Sequence, residues 1–141
     1  MKSTVMGRRS YTKSLLEQDE SMTEPIFHIT SKASWAAAQS TGEYSPGSLA
    51  SEGFIHCSKM DQILRVADSF FANHHGLVML VIDLPQVKSE TRWEAGTDKA
   101  DELFPHIYGP INLNAVLRVI DFEPESDGQF KLPQMLSSLG D

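Results

Sequence analysis

The sequence predicts an α+β domain, on three observations. Ile63, Val66, Ala67, Phe70 and Phe71 fall at i, i+3, i+4, i+7 and i+8, the apolar stripe of a helix over about residues 59–73. Leu77 to Asp83 is a segment of strand length, apolar without a break as far as Ile82, as expected for a central strand buried on both faces. Around these two elements lie short β-branched and aromatic segments separated by Gly, Pro and Asn turns. Two main helices against six or more mostly short strands follow from this pattern.

Taken in order, residues 1–24 are rich in Ser, Thr and charge without apolar periodicity, and read as a flexible tail. Met22, just before the first strand, is a candidate start for the domain. Ile26 to Ile29 is a short strand, and Ser31 or Ser34 can cap a helix through Trp35 that Gly42 ends. Pro46-Gly47 marks a loop, and Leu49 to Glu52 leads into a strand over Phe54 to Cys57. Ser58 with Asp61 three residues on resembles a capping arrangement for the long helix. Asn73-His74-His75-Gly76 is a turn and Pro85 breaks the central strand.

Val87 to Trp93 then alternates with charged residues as a half-exposed strand, and residues 95–102 form a polar loop. Phe104 to Tyr108 is extended, Gly109-Pro110 turns the chain, and Val116 to Phe122 is a further strand. Asp127-Gly128 signals a hairpin into Phe130 and Leu132. Residues 25–133 form one domain, and 134–141 a tail that can make a helical turn or two.

The 141 residues suffice for one real core. The longest apolar run, Leu77 to Ile82, is far too short to span a bilayer, so no membrane association is expected. A single cysteine fits a reducing, cytoplasmic compartment and excludes an internal disulfide. A net charge of −7 argues against broad nucleic-acid binding, which needs an excess of Lys and Arg. The first twenty residues carry four basic and three acidic groups, so the acidity belongs to the folded part.

Three histidines in strand-like, apolar settings are the candidates for chemistry: His28, His56 and His106. In a period-2 strand Phe54, His56 and Ser58 share one face, while Ile55 and Cys57 share the other. One face therefore carries polar chemistry, and Cys57 packs in the core. His28-Ile29-Thr30 repeats the His-x-hydroxyl spacing of His56-Cys57-Ser58; if the two strands are neighbours, both pairs line one cleft. A histidine satisfied by a backbone carbonyl competes with this reading at each site, and Ser58 serves equally well as a helix cap or a ligand contact. Backbone N–H groups at the following helix start would favour an anion. No metal site is expected, because the histidines lie 28 and 50 residues apart without a local ligand pair. Glu94, Glu102, Arg65 and Arg92 default to solvated surface roles, with Arg92 the better phosphate candidate because it lies near Trp93 and Glu94.

The run from Pro25 to Pro133 resembles the small, mostly bacterial domain-of-unknown-function family nine-fifty-two. Glu52-Gly53-Phe54-Ile55-His56-Cys57-Ser58, Arg92-Trp93-Glu94 and Phe104-Pro105-His106-Ile107-Tyr108-Gly109-Pro110 carry the resemblance. More distantly, the paired His28-x-Thr30 and His56-x-Ser58 segments are similar to the NAD-dependent RNA 2′-phosphotransferases. That resemblance implies the ADP-ribosyltransferase fold, a split, curved, mostly antiparallel sheet with NAD as co-substrate in its cleft. It further implies cofactor contacts from His28, Thr30, His56, Ser58 and His106, to which Tyr108 on the same segment is added, and catalytic roles for His28 and His56, with Glu94 set beside them as the candidate carboxylate. The chain departs from the phosphotransferases in lacking their set of phosphate-holding arginines, and it shows no motif for the late-strand glutamate of the fold's toxin-like branch, for which Glu94 and Glu102 are placed by position alone. The function so implied is transfer of an ADP-ribosyl group from NAD, or transfer to a phosphorylated acceptor. Its alternatives are a non-catalytic pocket for a nucleotide or phosphorylated metabolite, and a structural or partner-binding domain.

Overall fold

The computed structural model describes residues 24–96 and 99–133. The tails expected over 1–24 and 134–141 lie outside the described residues, Glu24 apart, as do Met22 and the helical turns expected after Pro133.

Strand β1 (Ile26–Ser31) leads into helix α1 (Lys32–Thr41), strand β2 (Glu43–Tyr44), helix α2 (Gly47–Glu52), strand β3 (Ile55–His56) and helix α3 (Met60–Phe70). Strands β4 (Leu77–Ile82), β5 (Glu90–Ala95), β6 (Leu103–Tyr108), β7 (Ile111–Asn112) and β8 (Val116–Phe122) follow. The architecture is α+β with every strand pair antiparallel, in sheets ordered β1-β4-β8, β3-β6-β5 and β2-β7. Among the described residues an isolated bridge links β1 to the segment that follows β3. Phe27 N–H donates to the Ser58 carbonyl and Ser58 N–H to the Phe27 carbonyl, each at 2.8 Å.

Strand β4 is central and buried along its whole length, as its unbroken apolar run predicts. Its alternate side chains feed two cores. Leu77, Met79 and Val81 pack with Phe27, Ile29, Ile63, Ala67 and Phe122, under the apolar stripe of α3. Val78, Leu80 and Ile82 pack on the other face with Tyr44, Ile55, Cys57 and Ile107. Cys57 is a core residue, and burial pushes its thiol far above the ordinary range.

Local chemistry accounts for the boundaries. The Ser31 hydroxyl accepts from Ser34 N–H at 3.0 Å to start α1, and Gly42, at φ 96°, ends it with its N–H on the Ala38 carbonyl. Helix α2 is a third helix where the sequence predicts a loop and strand approach. Six residues are too few to show a 3.6 period, and Pro46 before it and Gly53 after it (φ 89°) are its visible marks. The expected Ser58–Asp61 cap is corrected. Ser58 is held in the bridge to β1, so the N-cap falls on Lys59, whose N–H donates to the Gln62 side chain at 2.9 Å. The strand expected from Val87 begins only at Glu90, because Pro85 starts a 3-10 turn that Val87 N–H closes onto the Leu84 carbonyl. Asp127-Gly128 makes a turn without a following strand. Phe130 instead stacks on Phe122 at 4.6 Å while its N–H donates to Asp68.

Candidate active site at the junction of the two sheets

The small sheet β3-β6-β5 has one apolar and one polar face. Its register sets His56 opposite His106 and His106 opposite Arg92, so these three side chains form one cross-strand row. Phe54 and Tyr108 extend the same face: the Phe54 ring stacks on His106 at 4.2 Å and lies 5.2 Å from Tyr108. The His56 and His106 rings meet edge-on at 5.2 Å. Ile55 and Ile107, also opposite each other, point into the core.

Each histidine of this face has its own carboxylate. His56 Nε2–H donates to Glu52 Oε1 at 2.7 Å, a pair exposed to solvent. His106 Nδ1–H donates to Glu94 Oε1 at 2.8 Å, and the Tyr108 hydroxyl donates to the same oxygen at 2.7 Å. The Tyr108 and His106 bonds, in that order, hold the Glu94 carboxyl below the usual range, so it is anionic. The same bond raises Tyr108. Arg92 lies over the Tyr108 ring at 4.2 Å and pairs with Glu90.

His28 reaches this region from β1. Its Nδ1–H donates to the His56 carbonyl at 2.6 Å, and its Nε2 accepts from the Tyr44 hydroxyl at 2.6 Å. The carbonyl fixes the tautomer because it can only accept. Burial lowers the ring's pKa to about 4, so the imidazole is neutral. Tyr44, chiefly through burial, is pushed up to about 12.

A cleft of about 430 Å³ runs between β1, α3 and the small sheet, and His28, His56, Ser58 and His106 all line it. The structure thus brings the three predicted histidines to one opening. Thr30 differs: it is buried, its hydroxyl lies against the Tyr44 phenol, and it is not among the cleft-lining residues. Glu102 is elsewhere, accepting from Gln62 and Arg65 of α3. His74 and His75 are exposed, with His75 on Glu123 at 3.1 Å. Among the described residues no group of three or more His, Cys, Asp or Glu side chains is disposed to hold a metal, and no helix is long and apolar enough to cross a membrane. Tyr44 and Glu52 are site residues that the sequence reading did not single out. Glu52 carried one signal, its place just before the Gly53 turn that aims it back at His56.

The family model described as "Protein of unknown function (DUF952)" matches residues 29–119, and the chain belongs to this family. It is similar to protein CC0527 of Caulobacter crescentus, whose crystal structure is 33% identical with a TM-score of 0.70 over 80% of this chain and 98% of that one. The solution NMR structure of CC0527 gives 30% identity and a TM-score of 0.62 over 81% and 95% of the two chains. No curated protein matches the chain.

Proposed function

We propose that the cleft binds a nicotinamide dinucleotide and that the domain is an NAD-using transferase of the ADP-ribosyltransferase kind. One observation carries this reading. The two His-x-hydroxyl strands meet through the 2.6 Å bond from His28 to the His56 carbonyl, and His106 joins them with an anionic carboxylate 2.8 Å behind it. Displacement of nicotinamide builds positive charge on the ribose carbon, and a fixed negative group in a partly enclosed site stabilises such charge without reorganising. Glu94, pinned by two hydrogen bonds, supplies that charge from behind His106, which lines the cleft.

The remaining residues take roles suited to their chemistry. His56 and Ser58 line the cleft where ribose hydroxyls need partners, and the half-buried Phe54 ring, stacked on His106, adds an apolar surface beside the cleft for a planar base. Arg92, in the same cross-strand row, supplies a cation for the diphosphate. His28, with both nitrogens bonded inside the fold, positions the His56 strand.

The test measures NAD binding by calorimetry and nicotinamide release by chromatography, in parallel. The wild type is expected to bind NAD and release nicotinamide, and His56→Ala to weaken both. Binding without release would move the reading to a non-catalytic nucleotide pocket. A protein that neither binds nor cleaves NAD overturns it.

A further inference from the structure

We propose that His106 Nε2 is the general base that accepts the proton of the incoming hydroxyl, with Glu94 as its positioning residue; this deepens the transferase reading above and rests on it. Of the three histidines only His106 is arranged for the task. Its Nδ1–H is committed to Glu94 Oε1 at 2.8 Å, which leaves Nε2 as the lone-pair nitrogen. The side chain is 6% exposed, the residue lines the cleft, and no described residue donates to Nε2. A buried acceptor without a donor is costly, so the site favours a ligand that brings an O–H to it. The Phe54 ring, stacked within 18° of parallel, holds the imidazole plane, and the Tyr108 hydroxyl holds the carboxylate. His28 has no nitrogen to spare, and the His56 ring is exposed with Nε2 on a solvated carboxylate.

In the step so assigned, the bond between the ribose carbon and the nicotinamide nitrogen breaks and its electron pair leaves with nicotinamide, neutralising the pyridinium. The acceptor oxygen bonds to that carbon, and its proton passes to His106 Nε2. The imidazolium formed faces the Glu94 carboxylate, as in carboxylate–histidine–nucleophile arrangements generally. Among the described residues, the other charged or titratable groups around His106 are Arg92 from β5, His56 from β3, Tyr108 on its own strand and, through His56, Glu52.

The test compares wild type, His106→Gln, Glu94→Gln and Glu94→Asp for NAD affinity, kcat and KM of nicotinamide release, with thermal melts confirming the fold. His106→Gln is expected to lose roughly 10²–10⁴ in kcat, far more than it loses in NAD affinity. Glu94→Gln removes the charge that faces the imidazolium, so kcat falls with KM unchanged and Glu94→Asp restores part of it. If His106→Gln turns over at the wild-type rate, the base lies elsewhere while the transferase reading stands. If His106→Gln loses affinity as steeply as turnover, or Glu94→Gln turns over at the wild-type rate, the dyad assignment is overturned. Wild type that neither binds nor cleaves NAD overturns both readings.

Discussion

His28 spends both ring nitrogens inside the fold, on the His56 carbonyl and the Tyr44 phenol, and stays neutral for that reason. Its folded pKa, lowered to about 4, lies below the ordinary 6.5, so the unfolded chain binds the proton more tightly. Its contribution to stability is therefore complete above 6.5 and is lost as pH falls toward 4. The loss amounts to ~3 kcal/mol at most, to be read from urea midpoints at pH 7.5 and 4.5; His28→Asn should flatten that part of the curve. His28→Ala also removes the acceptor of the Tyr44 hydroxyl and the donor to the His56 carbonyl, and should cost about 2–4 kcal/mol at neutral pH. An unchanged urea midpoint in His28→Ala would refute its role as a splint between the strands.

Two elements hold the polar face in place. Helix α3 is tied to the small sheet by Gln62, fully buried, whose side chain accepts from Lys59 N–H and donates to Glu102 and to the Leu103 carbonyl. Gln62→Leu keeps the volume and removes those bonds, so a loss of about 2–3 kcal/mol is expected by denaturant titration. Gly53 ends α2 in the left-handed region with open space around it, so Gly53→Ala should cost only backbone strain, about 1 kcal/mol. That strain falls beside Glu52, and the His56 ring NMR signals should shift with it. The α3 stripe and the unbroken β4 run were legible because each is a local period in apolar residues. The Lys59 cap was not, because Ser58 is diverted by a long-range bridge to Phe27. The pairing of His106 with Glu94 was hidden for a similar reason. Glu94 meets His106 only through the β5–β6 register, and no single-strand pattern encodes register.

On the scale of the whole molecule, β4 sits between two cores and the Phe27–Ser58 bridge links β1 to the segment that follows β3, so one cooperative unfolding transition is expected. A ligand in the cleft touches β1, α3 and the small sheet together and should stabilise that whole unit. NAD at ~100 times its dissociation constant would add about 2.7 kcal/mol. The central claim is that a dinucleotide binds at the His56–His106 face, and the imidazole ¹⁵N NMR spectrum read during an NAD titration tests it most directly. The account predicts that the His56 and His106 ring signals move with saturation while His28 keeps its neutral tautomer throughout. Ring signals of all three histidines unmoved at millimolar NAD would contradict it.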